Sequence, residues 1–318
     1  MNSTAPAWAI PDWTASDWTA LSLLVLGVLL AEPVSRWLAG AAWPARDPVG
    51  GLLLWQAIGL SGGLALLGSG LLYGLSPFGT STPAALPAAA DSLASGQWPA
   101  TFGAAHQLAL LATLLLALRL VGVLLAVTVR TLRNRARHRD LLDLVGTPWP
   151  AVPGTHVLDH PVPVAYCLPG LKSRLVVSAG TLNALDPDAL LAVLEHERAH
   201  LRERHDLVVL PFVAWGATAP FVRGMVGAQL AVAMLVEMRA DDVASGCTTR
   251  EQIVEALRRM HRASPAAAAG LTSFSVALDD RLDRILAPPA PLPGAFRVLV
   301  RLAALALVAV PVAALLLG

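Results

Sequence analysis

Residues 196–200 read His196, Glu197, Arg198, Ala199, His200, and the stretch around them, 186–206, has the composition of a single helix. Asp186 is placed to cap it, Pro187 suits a first turn with no donor to satisfy, and Ala, Leu and Glu fill the interior with no Gly or Pro until Pro211. A spacing of four puts His196 and His200 on one helix face, within ~40° of each other, where two imidazoles can share one Zn²⁺. Glu197 projects ~100° round from His196, beside such a metal, where a base for its water must sit. The same five letters also arise by accident on charged surface helices, so the pattern is informative only if the chain supplies a third donor.

Residues 237–241, EMRAD, supply one. Glu237 ends an apolar, helix-like run, AQLAVAMLVE, and Asp241 lies one turn further along the same face. Glu237 completes a His₂Glu set with a fourth position left for water, and Asp241 can accept the spare N–H of a ligand histidine and so set its tautomer. The alternative for both carboxylates is a solvated helix face. If the three donors meet, the intervening 207–236 cannot cross a membrane once, because ligand bonds are ~2 Å long. That segment must fold as a hairpin dipping into the bilayer, or pack against protein without spanning. Pro211, Gly216, Pro220 and Gly224 suit a broken pair of helices.

A membrane is expected because the 318 residues are 55% hydrophobic and 14% charged, with mean hydropathy +0.61, against ~25% charged in soluble domains. Spans are predicted over ~18–38, ~51–74, ~104–129 and ~295–317. Trp8, Trp13 and Trp18 precede the first span as interface anchors, and Gly59, Gly62, Gly63, Gly68 and Gly70 let the second approach its neighbours closely. The arginine-rich run from Arg130 to Arg139 is cytoplasmic by the positive-inside rule. Loop 36–50 then also lies inside, and the N-terminus and the loop 75–103 outside. Glu32 and Arg119 are intramembrane charges at similar depth; they are expected to pair, or else each snorkels to the interface. The N-terminus has no basic region of the kind that opens a cleaved signal peptide. Two cysteines build no disulfide framework, and a net charge of +1 with no basic-aromatic stripe gives no reason to expect nucleic-acid binding.

Three regions follow: a membrane region over 1–139, a region over 140–294 that holds the histidine helix and the EMRAD carboxylates, and a C-terminal span over 295–318. Within the second, THVLDH, PVAYC and RLVVSAG are short β-rich runs before the histidine helix. Cys167 is expected as a packed core residue, since no second Cys or His is spaced to join it. His205 sits ~140° from His200 on a continuous helix and so is expected to face away, while Asp206 braces the helix end. Thr248 and Glu251 have the spacing of a capping box, and His261 is expected on a solvated surface. No physical role is apparent for Arg281 and Arg284 beyond pairing with acidic neighbours.

His196-Glu197-x-x-His200 followed by Glu237-x-x-Ala240-Asp241 resembles membrane zinc peptidases of the gluzincin type, including the HtpX and CAAX-prenyl-protease group and the BlaR/MecR-type antirepressor peptidases. The stretch AYCLPG, the strand ending in Ser178-Ala179-Gly180 and the tail from His200 to Asp206 are most similar to the BlaR/MecR-type group. That resemblance implies a membrane α-helical protein of about four spans with a cytoplasmic α+β gluzincin-like domain. It implies Zn²⁺ on His196, His200 and Glu237, Glu197 as base, and Asp241 behind a ligand. It also implies an edge strand at Arg174, Leu175, Val176, Val177 and Ser178 for extended substrate. The implied partner is a protein substrate: a transcriptional repressor, or the chain itself in a self-cleavage step. The alternatives are HtpX-like quality control of membrane proteins and a signalling scaffold with a structural zinc; a transporter is disfavoured by four spans without an inverted repeat. Antibiotic-sensing members of the resembled group carry a penicillin-binding domain after the last span, and no S-x-x-K on the outer side suggests one here, so β-lactam sensing is not expected.

Overall fold

Thr14 opens the first helix with a capping box: its hydroxyl accepts from the Asp17 N–H while the Asp17 carboxylate accepts from the Thr14 N–H. The computed structural model describes residues 13–170, 173–262 and 272–317. Trp8, expected at the interface, lies outside the described residues. Helix α1 (Ala15–Leu29) passes through a wider π turn, Leu30–Val34, into α2 (Ser35–Ala39). Pro33 lies in this turn and has no N–H to give the α-helical ladder; the Ser35 hydroxyl reaches the Leu30 carbonyl at 2.6 Å instead.

Helix α3 (Pro48–Leu75) is capped by the Asp47 carboxylate, which accepts from Gly50 N–H at 3.1 Å. The segment 75–103, expected as a loop, contains α4 (Thr82–Ser95), with Pro83 in its first turn and Gly96 closing it at φ 73°. Helix α5 (Ala104–Val145) is 42 residues long. It runs through the arginine-rich stretch and past residue 140, so the expected boundary there falls inside a continuous helix. No Gly or Pro interrupts it between Gly122 and Gly146. At about 63 Å it is twice the thickness of a hydrocarbon core, and its basic half projects beyond the apolar half. Among the described residues four helical stretches are long and apolar enough to cross a membrane: Ala15–Ala39, Pro48–Phe78, Ala104–Val145 and Gly294–Leu317, the last being α12.

A four-stranded sheet follows α5, with β1 (Gly146–Pro148), β2 (Thr155–Leu158), β3 (Ala165–Leu168) and β4 (Arg174–Ser178) in the order β1-β2-β4-β3. β4 is parallel to β2 and antiparallel to β3. RLVVS is therefore not the edge strand expected of Arg174–Ser178. Leu175, Val176, Val177 and Ser178 are all buried, which is the pattern of a strand covered on both faces rather than an alternating edge. The free edge beside the histidine helix is β3.

After α6 (Ala179–Ala184) comes α7 (Pro187–Arg202), capped as expected by the Asp186 carboxylate on Ala189 N–H at 2.9 Å. The helix does not continue to residue 206. Arg204 takes a left-handed conformation, φ 50°, and α8 (His205–Thr218) starts in a new direction. α8 and α9 (Arg223–Ala244) form the broken pair of helices over 207–236. They pack through Phe212, Val232 and Leu235 against Trp55 of α3 and Leu30 of the first span. α10 (Arg250–Arg262) is capped by Thr249 with Gln252, one residue along from the expected Thr248 and Glu251. α11 (Thr272–Leu286) joins α7 and α10 through Ile285, Ala192 and Ile253. His261 is partly exposed.

Glu32 and Arg119 do not pair. Glu32 lies 3.6 Å from Arg36, one turn along its own helix, and accepts from Gly224 N–H; Arg119 donates to the Thr218 carbonyl. Each charge has a helix terminus of the α8–α9 pair within reach, and that nearer partner satisfies it.

Candidate metal centre

Helix α7 presents His196 and His200 on the face that meets α9, and α9 presents Glu237 and Asp241. The His196 and His200 Nε2 atoms are 3.1 Å apart, and Glu237 places Oε2 3.3 Å from the first and Oε1 3.6 Å from the second. Donors at the corners of a tetrahedron with ~2.0–2.1 Å bonds stand about 3.3–3.4 Å apart. The three donors therefore fit a single zinc-sized ion with little rearrangement. Among the described residues no fourth His, Cys or carboxylate donor joins the group, as a site open to water or substrate requires.

The carboxylate of Asp241, 1% exposed, accepts from His196 Nδ1 at 3.0 Å. That bond leaves Nε2 of His196 as the metal-facing nitrogen. A buried carboxylate must itself be compensated, and Arg281 does this. Its Nε and Nη2 each donate to Asp241 at 2.8 Å, and its Nη1 lies 3.0 Å from Glu237 Oε2. Arg284 bonds Asp242, the Ala45 carbonyl and the Met238 carbonyl, which ties α11 to α9 and to the loop after α2.

His200 is held differently. The turn at Arg204 swings His205 back, so that its Nδ1 lies 3.0 Å from His200 Nδ1. The expectation that His205 faces away assumed one straight helix, and the left-handed residue breaks that geometry. His205 Nε2 lies 3.3 Å from Glu203 Oε2, and Glu203 takes a forked pair of bonds from Arg239 of α9 at 2.6 and 2.9 Å. Asp206 braces the corner from outside by pairing with Arg135 of α5 at 2.9 Å. The basic half of α5 is thus a strut. Besides Arg135, His138 bonds the Tyr166 hydroxyl at 2.5 Å, Arg139 the Pro169 carbonyl, and Asp143 pairs with Arg174.

Electrostatics in the metal-free site follow from burial and these partners. Burial alone would lower the His196 pKa, but the hydrogen bonds to Asp241 and Glu237 outweigh it and raise it to about 9. Burial lowers His200 to about 4, with Glu237 opposing and the neighbouring histidines and Arg281 adding to the fall. For Glu237, burial works upward but His196 and Arg281 hold it down at about 2. Burial raises the Glu197 carboxyl, and the Glu237 charge adds to this; His196 and the Cys167 thiol and N–H pull the other way. Cys167 packs with Leu175, Val177 and Leu194, as a core residue should. It also places its thiol beside Glu197, and burial followed by that charge pushes the thiol up to about 12.

The sequence-predicted His196, His200, Glu237, Asp241 and Glu197 are therefore brought to one place, whereas Arg174–Ser178 form a central strand. Arg281, His205 and Cys167 were not assigned to the site. His205 sat in the quoted tail after the helix, and Arg281 was expected only to pair with acidic neighbours.

Comparison with known proteins gives one match. The family model described as Peptidase family M48 matches residues 130–214, from the basic half of α5 through the sheet and α7 into α8. The match includes His196, Glu197 and His200 and stops before Glu237. No curated protein and no solved structure matches the chain.

Proposed function

We propose that this chain is an integral membrane zinc endopeptidase with its site on the cytoplasmic side. One observation carries the reading: three donor atoms from two helices stand at the edge lengths of a zinc tetrahedron, with Glu197 beside them. The match to a metallopeptidase family over 130–214 supports it. His196, His200 and Glu237 are the ligands, Asp241 orients His196, and Arg281 neutralises the two acidic groups behind the site. Bound zinc would polarise the scissile carbonyl and lower the pKa of a coordinated water. Glu197 accepts the proton of the attacking water and returns it to the leaving amine, a task that favours a carboxyl with a raised pKa. β3 replaces β4 as the strand that pairs with extended substrate. It is the edge beside α7, and it carries Cys167 against Glu197.

The substrate class we assign is regulatory: a cytoplasmic transcriptional repressor, or the chain itself. The resemblance of AYCLPG and of the tail His200–Asp206 to antirepressor peptidases supports this, and the run Arg130–Arg139 supports a cytoplasmic site. The test uses protein purified in detergent. Zinc per chain is measured by atomic emission, and fragments of the chain and of β-casein are followed in wild type and Glu197→Gln. The variant should keep zinc and produce no fragments. Undiminished proteolysis in the variant, or a wild type that binds no zinc, overturns the reading.

A further inference from the structure

The α8–α9 pair is packed among the apolar helices, and three of them contact it near its tip. Trp215, near the end of α8, lies against the middle of α3: a Cβ on Gly63 would stand 3.0 Å from the indole ring. Arg119, in the middle of the apolar half of α5, donates from Nε at 3.1 Å and Nη2 at 2.7 Å to the carbonyl of Thr218, the last residue of α8. Glu32, in the π turn of the first span, accepts at 2.7 Å from the N–H of Gly224 in the first turn of α9. Gly224 is required there, because a Cβ would collide with the Ala31 and Glu32 carbonyls.

Depth follows from counting along these helices. Arg119 precedes Arg130, the first of the basic run, by 11 residues, or about 16 Å. That is about half of a ~30 Å hydrocarbon core. Gly63 is 15 residues from Pro48 and 12 from Leu75, also near the middle of its helix. Backbone at that depth is tolerated only where its polar groups are satisfied, and the two intramembrane charges do this with matching sign. The carbonyl end of α8 is negative and meets Arg119; the N–H end of α9 is positive and meets Glu32. Phe221 at the tip is 82% exposed, and Val226 and Leu230, one turn apart on the outer face of α9, are 41% and 62% exposed. These are apolar surfaces for acyl chains.

We infer that α8–α9 is a re-entrant hairpin whose tip lies in the hydrocarbon near the bilayer midplane, capped inside the membrane by Arg119 and Glu32. Its partner is lipid acyl chain, contacted by Phe221, Val226 and Leu230. The inference rests on the reading above that the four long helices cross a bilayer. It has a consequence for the metal centre: Glu237 lies 13 residues beyond Gly224 on the returning arm, about 20 Å from the tip. The site is thereby held at the membrane surface, and one of its three donors is carried by a lipid-embedded helix.

The test places a single fluorophore-labelled cysteine, with Cys167 and Cys247 replaced by Ala, at Phe221, at Leu118 on the exposed face of α5, or at Arg202 at the end of α7. Each protein is reconstituted in phosphatidylcholine vesicles carrying nitroxides either near the headgroup or near the chain end. Labels at Leu118 and Phe221 should be quenched several-fold more by the chain-end nitroxide, and the label at Arg202 should not. A deep Leu118 label with a shallow or unquenched Phe221 label overturns the hairpin alone. A Leu118 label that is not deep overturns the crossing itself, and the hairpin with it. Adding Gly63→Leu, which evicts Trp215, should move the Phe221 label toward the headgroup nitroxide and leave the Leu118 label unchanged. A Phe221 label that keeps its depth in that variant overturns the role of the α3 contact in seating the hairpin.

Discussion

His205 Nδ1 sits 3.0 Å from His200 Nδ1, so the two ligand histidines are braced by chemically different groups. His196 leans on the carboxylate Asp241, itself clamped by Arg281, whereas His200 leans on a neutral imidazole. With Nε2 of His200 facing the metal, its Nδ1–H donates to His205 Nδ1. Nε2–H of His205 then donates to Glu203, which Arg239 holds. The direction of every bond in that chain is set by the first. Removal of such a support behind a ligand costs about 10–100-fold in metal affinity. We expect that loss for His205→Ala in a chelator competition, and a smaller one for His205→Asn, whose amide oxygen can accept in the place of Nδ1. Equal zinc affinity in wild type and His205→Ala would show that His200 needs no support.

Arg281 is the guanidinium among the described residues that touches both Glu237 and Asp241. Its loss leaves the Asp241 carboxylate, 1% exposed, without the guanidinium and with His196 as its remaining charged partner, and breaking a buried pair from one side costs about 3–5 kcal/mol. Arg281→Met should lower the unfolding midpoint of the metal-free protein in detergent, and adding Asp241→Asn should recover a substantial part of the loss. Additive effects of the two substitutions would mean that the guanidinium stabilises the fold through other contacts.

The proton on His196 predicts how zinc uptake depends on pH. Its folded pKa of about 9 exceeds the ~6.5 of an unfolded histidine. Its contribution to metal-free stability is therefore fully present below ~6.5 and is lost as pH rises through about 9. A zinc ligand must be the neutral imidazole, so binding at pH 7 expels that proton. Titration calorimetry in buffers of different ionisation enthalpy should report about one proton released at pH 7, declining as the pH passes 9. A heat independent of buffer at pH 7 would contradict the His196–Asp241–Glu237 arrangement.

The two cysteines should differ sharply toward alkylating agents. Cys247 is exposed, whereas the Cys167 thiol is pushed up to about 12 by burial and the Glu197 charge. Reaction runs through the thiolate, so iodoacetamide at pH 8 should modify Cys247 and leave Cys167 intact, as peptide mass spectrometry would read. Glu197→Gln removes the charge and should speed Cys167 modification. Fast labelling of Cys167 in wild type would place its thiol away from Glu197.

Much of the site was legible in the chain because it depends on local periodicity. A spacing of four on a capped helix places His196 and His200 together whatever surrounds them, and the carboxylates of EMRAD obey the same rule on a second helix. The requirement that donors on both helices share one ion also implied that residues 207–236 turn back. Tertiary structure decided what periodicity cannot express. Arg204, a non-glycine residue in a left-handed conformation, redirected the chain and brought His205 onto His200. The unbroken apolar run Leu175–Val177 signals burial on two faces, but only strand pairing showed that β3 and not β4 is the open edge. Arg281 reached the site from a helix that follows α9 and α10, and Glu32 and Arg119 chose helix termini over each other. A buried charge takes the nearest group that can satisfy it, and which group is nearest is fixed by packing between distant segments, not by neighbours along the chain.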